Sequence, residues 1–201
     1  MIRQLFQFSI AVATSLAPLV ANAGEVRVFI PEGSANAVQI VDPQTGENLG
    51  RIENLDAVHG LAGHPNSKYL VAGSYLEVDR EGAAAAAKPT AISEDEHAAH
   101  HAKPAKRIGP ADAGISLLSV LDAATGEVVR RIEVPGAVHH VAISPDGTTA
   151  VATHPSGDGI SVVDLTSLEL VGWVPTGIMP NYAVFGTDPG GVDVSNAENG
   201  T

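Results

Sequence analysis

One stretch of this chain recurs, and the recurrence limits the fold more than any other feature. Val38-Gln-Ile-Val-Asp-Pro-Gln-Thr-Gly46, followed by Ala57-Val-His-Gly-Leu-Ala-Gly-His-Pro-Asn-Ser67, returns as Leu118-Ser-Val-Leu-Asp-Ala-Ala-Thr-Gly126, followed by Ala137-Val-His-His-Val-Ala-Ile-Ser-Pro-Asp-Gly147. Asp42 maps onto Asp122 and His59 onto His139, both at a shift of 80 residues. A third copy stands 42 residues further on, where Asp122 maps onto Asp164, Asp146 onto Asp188 and His154 onto Asn196. A period of about 40 residues is that of a four-stranded antiparallel blade, and the longer shift is one blade plus an insertion.

Within each copy, short apolar alternations separated by turn residues read as strands. They are expected near 25–30, 37–42, 47–53, 57–62 and 68–75, then 115–121, 126–133, 138–143, 148–154, 160–164, 168–174, 181–186 and 191–195. Ser144-Pro145-Asp146-Gly147 suits a type I turn, and His64-Pro65-Asn66-Ser67 takes the same place one copy earlier. Asp42 and Asp122 each precede a Thr-Gly hairpin. There a short carboxylate accepts hydrogen bonds from the turn's own amides, so recurrence argues for structure rather than acid catalysis.

The predicted fold is therefore all-β: a β-propeller of four-stranded antiparallel blades, with about three blades present in residues 24–201. Closed propellers typically have four to eight blades, so a partial or truncated ring with open edges is expected, and with it association into homo-oligomers. The third copy departs from the pattern, with Gly186-Thr-Asp-Pro-Gly-Gly191 in place of Ser-Pro-Asp-Gly.

The order of these pieces (Val-Ser-Val-Ile-Asp-like strand, Thr-Gly hairpin, His-containing strand, Ser-Pro-Asp-Gly, then a short strand ending near Asn or His) resembles the YVTN-type repeats of bacterial periplasmic β-propellers. The resemblance covers most of residues 25–201 outside the insertion. It implies that the His-containing strand is innermost and that His59, His139 and Asn181 hold matching positions at the central channel.

Residues 1–23 read as an export leader. Arg3 supplies the positive end, Leu5 to Val20 is mostly apolar, and Ala21-Asn22-Ala23 fits a small-residue cleavage site. A periplasmic or secreted location is expected, with no membrane span once the leader is removed. An uncleaved anchor is the competing reading. The chain carries a net charge of −12, which disfavours nucleic acid and anionic lipid; it suits metal ions or cationic partners, and also plain solubility. With no Cys, disulfides, thiolate metal sites, Cys-ligated clusters and thioether-attached haem are excluded.

Residues 76–113 interrupt the first blade, between its second and third strands. The stretch has no Phe or Trp, runs Ala83 to Ala87, and reads as weakly ordered. Ser93-Glu-Asp-Glu96 matches a capping box ahead of a short helix ending before Pro104. On it His97 and His101 share a face, with His100 nearby. Imidazoles at this spacing bind zinc or copper, with Glu94 or Glu96 able to add an oxygen. A solvated polar loop is the competing reading.

In the body, His59 and His139 project from adjacent blades and could share a metal when neutral or bind a small anion when protonated. Alternatively, each locks its strand by bonding to a neighbouring blade's backbone. His140 should point into the packing between blades, while His64 and His154 are expected at the surface. No G-x-S-x-G elbow, Walker loop, HExxH or EF-hand sequence occurs, and Trp173 is the sole tryptophan. The function expected is that of an exported binding or scaffold module without a catalytic site, bound to an unidentified protein partner or a metal ion. Two further readings stand beside it. One is a metallochaperone-like protein using His97, His100 and His101, with His59 and His139 as a second site. The other is a propeller subunit of a periplasmic oxidoreductase.

Overall fold

A computed structural model of the protein describes residues 26–78, 108–187, 190–198 and 200. The leader, the capping-box segment and His97, His100 and His101 lie outside the described residues. Strands β1 (Val28–Glu32), β2 (Ala37–Val41) and β3 (Asn48–Ile52) form a three-stranded sheet. Strands β4 (Val58–Gly63), β5 (Tyr69–Ser74), β6 (Ile115–Asp122) and β7 (Val128–Pro135) form a four-stranded one. The next comprises β8 (Val141–Ile143), β9 (Thr149–His154), β10 (Gly159–Asp164) and β11 (Glu169–Pro175), and β12 (Pro180–Phe185) pairs with β13 (Val192–Asn196). Every pairing is antiparallel between sequence neighbours. The sheets do not close into a ring. No helix among the described residues is long and apolar enough to cross a membrane.

The core lies between the sheets, and the period of two in each strand divides its side chains between two neighbours. In β5, Leu70 and Ala72, with Val58 of β4, face Val38 and Ile52 of the first sheet, whereas Val71 faces the third with Val141, Ala150 and Ala152. In β9, Val151 joins Ile160 and Ala183 against the last sheet. A strand packed on both faces can be apolar throughout, which explains the unbroken burial of Leu70 to Ser74 and of Ala150 to His154.

The hairpins repeat as their sequences do. The Asp42 carboxylate accepts from the amides of Gln44 and Thr45 (2.7 and 3.1 Å), and Asp122 from those of Ala124 and Thr125 (2.9 and 3.0 Å). Asp164 does the same for Thr166 and Ser167. Gly46 and Gly126 close the first two turns at φ +74° and +76°; Leu168 takes that left-handed place in the third, at +57°. On the same side of the sheets the Pro-containing turns of adjacent blades interlock. Asn66 donates its side-chain amide to the Pro145 carbonyl (2.7 Å) while Gly147, at φ +76°, lies against Asn66 and Ser67. The altered turn of the third copy still closes its hairpin, through Gly186 N to Gly191 O.

Two expectations need correction. The innermost strand expected over 138–143 is regular only over Val141–Ile143, for a reason given below. His154, expected at the surface, is fully buried. Its Nδ1 lies 2.9 Å from the Gly136 carbonyl and its Nε2 2.8 Å from Ser161 Oγ, with Trp173 tilted over the ring at 5.3 Å. A carbonyl only accepts, so Nδ1 carries the proton and Nε2 accepts from the serine hydroxyl. Burial holds its pKa down at about 4.

Candidate binding site on the inner strands

The first strand of each copy carries the same defect. In β4 the pairing runs Val58 to Ser74 and then Gly60 to Gly73, leaving His59 as an extra residue. In β12 it runs Pro180 to Asn196 and then Tyr182 to Ser195, leaving Asn181. Ahead of β8, His139 N donates to the Thr153 carbonyl while Thr153 N donates to the His140 carbonyl, so two residues oppose one. These are β-bulges at homologous positions, and a bulge re-aims the side chain it carries. The bulge also truncates the regular part of β8.

The strands that bear the bulges stand side by side, β4 against β8 and β8 against β12. The rings of His59 and His139 come to 4.9 Å between centres at 58°. Tyr75, immediately after β5, lies 5.0 Å from His59, and Tyr182 lies 5.5 Å edge-on to His139. The result is a row of four rings, Tyr75–His59–His139–Tyr182, drawn from three successive sheets. Tyr75 and Tyr182 are 50% and 55% exposed and His59 is exposed, so core packing does not account for the row. It lies at the end of the sheets from which the 76–113 insertion leaves, since Tyr75 is the last residue before that stretch and Val78 bridges to Ile115.

His139 is half-buried and anchored. Its Nδ1 donates to the Asn181 carbonyl (2.9 Å), which also accepts from Thr153 Oγ1 (3.0 Å). This fixes the tautomer and leaves Nε2 with the lone pair. His140 also packs against the last sheet, where its Nδ1 accepts from Ala183 N (3.3 Å) and its ring, like that of His139, meets Tyr182. Burial, and then the neighbouring His139, lower its pKa, so it adds no positive charge near neutral pH. His64 stays in its turn and accepts from Asn66 N.

Sequence reading did not single out Tyr75 and Tyr182. Tyr182 was recoverable, because in the repeat it occupies the place of His140, beside the bulge; Tyr75 carries no such signal. Among the described residues, no three His, Cys, Asp or Glu side chains gather at metal-binding spacing.

No family model matches the chain, and no curated protein matches it. Among solved structures it is similar to Kuenenia stuttgartiensis hydrazine synthase, with a TM-score of 0.58 and 19% identity over 85% of this chain. The fold is that of a partial, open β-propeller. The match takes up 42% of the hydrazine synthase chain, so the likeness spans about two-fifths of that protein's length and concerns the fold alone.

Proposed function

We propose that this is an exported β-propeller binding module, periplasmic or secreted, whose ligand surface is the row Tyr75–His59–His139–Tyr182. The observation that carries the reading is the exposed contact between two imidazoles aimed by bulges on adjacent blades, flanked by two solvent-facing phenols. A bulge repeated at one position is a designed feature. Exposed aromatic surface with a polar tip is the kind that recognition sites use. The leader-like residues 1–23 and the resemblance to periplasmic repeat propellers support export.

A metal-handling form of this reading has its own support. The insertion bearing His97, His100 and His101 follows Tyr75 in sequence, so its imidazoles are joined through the chain to the end of the row, for which they could capture ions. The reading is of a binding protein rather than an enzyme; the hydrazine synthase likeness supplies a fold and no catalytic residue.

The test is side-chain NMR of the protein titrated separately with Zn²⁺, inorganic phosphate and tyramine, a cation, an anion and an aromatic amine. At least one should shift the His59, His139, Tyr75 and Tyr182 resonances together. A His59→Ala/Tyr182→Ala double variant should lose that response. If none of the three moves these resonances, the row is not a binding surface of this kind.

A further inference from the structure

Three observations narrow the chemistry of the row. The first is spacing. An imidazole nitrogen bonds zinc at about 2.0–2.1 Å, which puts the ring centre about 3.2 Å from the ion. Two such rings stand about 4.5 Å apart when their bonds to the ion meet at a right angle, and about 5.2 Å apart at the tetrahedral angle. The 4.9 Å between His59 and His139 falls between these limits, and the 58° between their planes is not that of rings stacked face to face.

The second is the tautomer. The hydrogen bond from His139 Nδ1 to the Asn181 carbonyl leaves Nε2 as the donor atom. Metal-bound histidines usually have this arrangement, with a carbonyl or carboxylate holding the far nitrogen. The third is charge and access. The exposed His59 leaves the pair open to solvent, and the chain's net charge of −12 favours the approach of a dication.

We propose that His59 and His139 bind one Zn²⁺ or Cu²⁺ ion, His139 through Nε2, with the remaining coordination positions filled by water or by donor atoms from a partner. The proposal rests on the reading that the row is the binding surface, and names its ligand. Two protein donors make an open site from which the ion exchanges, unlike the closed four-ligand sites that hold structural zinc. Such a site fits a carrier that takes up and passes on an ion. Cu²⁺ should bind more tightly than Zn²⁺ to the same nitrogens.

The experiment uses the full chain carrying His97→Ala, His100→Ala and His101→Ala, which removes the insertion's imidazoles and leaves the propeller residues untouched. Calorimetry with Cu²⁺ and with Zn²⁺ should show one ion per chain, and the electron paramagnetic resonance spectrum of the Cu²⁺ form should report two nitrogen donors. Adding His59→Ala is the decisive step, because His59 is exposed while His139 also holds the Asn181 backbone. Loss of an outer-sphere partner alone costs 10–100-fold in affinity, so loss of a donor should weaken binding at least about tenfold and remove one nitrogen from the spectrum. Circular dichroism should be unchanged.

Equal affinity and an unchanged nitrogen count in the His59→Ala chain would overturn the proposal. So would a failure of either ion to bind. If the ions fail while phosphate or tyramine still shifts the row's resonances, the metal assignment falls and the binding surface stands. If nothing shifts them, both fall.

Discussion

Mild acid should destabilise this protein, with His154 carrying the largest share and the less buried His140 adding to it in the same direction. His154 is buried and neutral, bonded at both nitrogens, and its pKa lies at about 4 against 6.5 for a free imidazole. The folded pKa is depressed, so between pH 6.5 and 4 the unfolded chain binds a proton that the folded chain refuses. Stability therefore falls as pH drops through that window and levels off below it. At 1.36 kcal/mol per unit, the full difference is roughly 3 kcal/mol, and about 2 kcal/mol is already lost at pH 5. Set against the 5–15 kcal/mol typical of a domain, that is a large fraction. The assay is urea unfolding at half-unit steps from pH 7.5 to 4.5, followed by the fluorescence of Trp173, the sole tryptophan, whose ring lies 5.3 Å from the imidazole. The comparison is His154→Asn, which borrows the residue found at the equivalent place in the third copy. That variant should be less stable at pH 7.5, having lost the Trp173 contact and a hydrogen bond, yet clearly shallower where the parent slopes, the remaining slope coming from His140. Parallel curves for the two proteins between pH 7 and 5 would refute the reasoning.

Three other outcomes are expected. Gly147→Ala should lower stability by roughly 2 kcal/mol or more, because a β-carbon there falls within 2.7 Å of the Ser67 amide nitrogen, and closer to the Asn66 carbonyl, at φ +76°; differential scanning calorimetry reads this as a lower Tm, and an unchanged Tm would contradict the interlocked turns. Asp122→Ala should lower the Tm at neutral pH, because the amides of Thr125 and Ala124 hold that carboxyl below the usual 3.8; the contribution is present above 3.8 and vanishes as pH falls through the lower folded value, so parent and variant should converge in strong acid, below the window of His154. Val28, Ile30 and Leu49 on the first sheet, and Tyr182 and Val184 on the last, are exposed, so light scattering should show association of the chain; a monomer at all concentrations would show that these faces tolerate water.

The strands were legible because the repeat names them several times over, and an error in one copy is corrected by the next. The matching of His59, His139 and Asn181 was legible for the same reason. The bulge was not. It is a fault in pairing between two strands, and neither Val58-His59-Gly60 nor Val138-His139-His140 contains a residue that announces it. The burial of His154 was hidden by its neighbour, since His-Pro ahead of Ser-Gly reads as a turn. What buries the ring is Trp173, two strands away in the sheet and 19 residues on in sequence. The ring contacts of Tyr75 escaped for a like reason. They depend on where the next blade's first strand sits, a distance that no local pattern encodes.

The bulge column has a consequence for how such a surface changes over time. Each copy offers one bulge-borne side chain at a position whose backbone is already shaped, so the number of donors along the row is set by single codons rather than by rebuilding loops. Here the three places read His, His and Asn. The Asn181 backbone already supplies the carbonyl that orients His139. An imidazole in its place would lengthen the row without disturbing that bond. The row of first strands thus works as a keyboard, on which affinity can be raised or abandoned one key at a time while the core between the blades stays as it is.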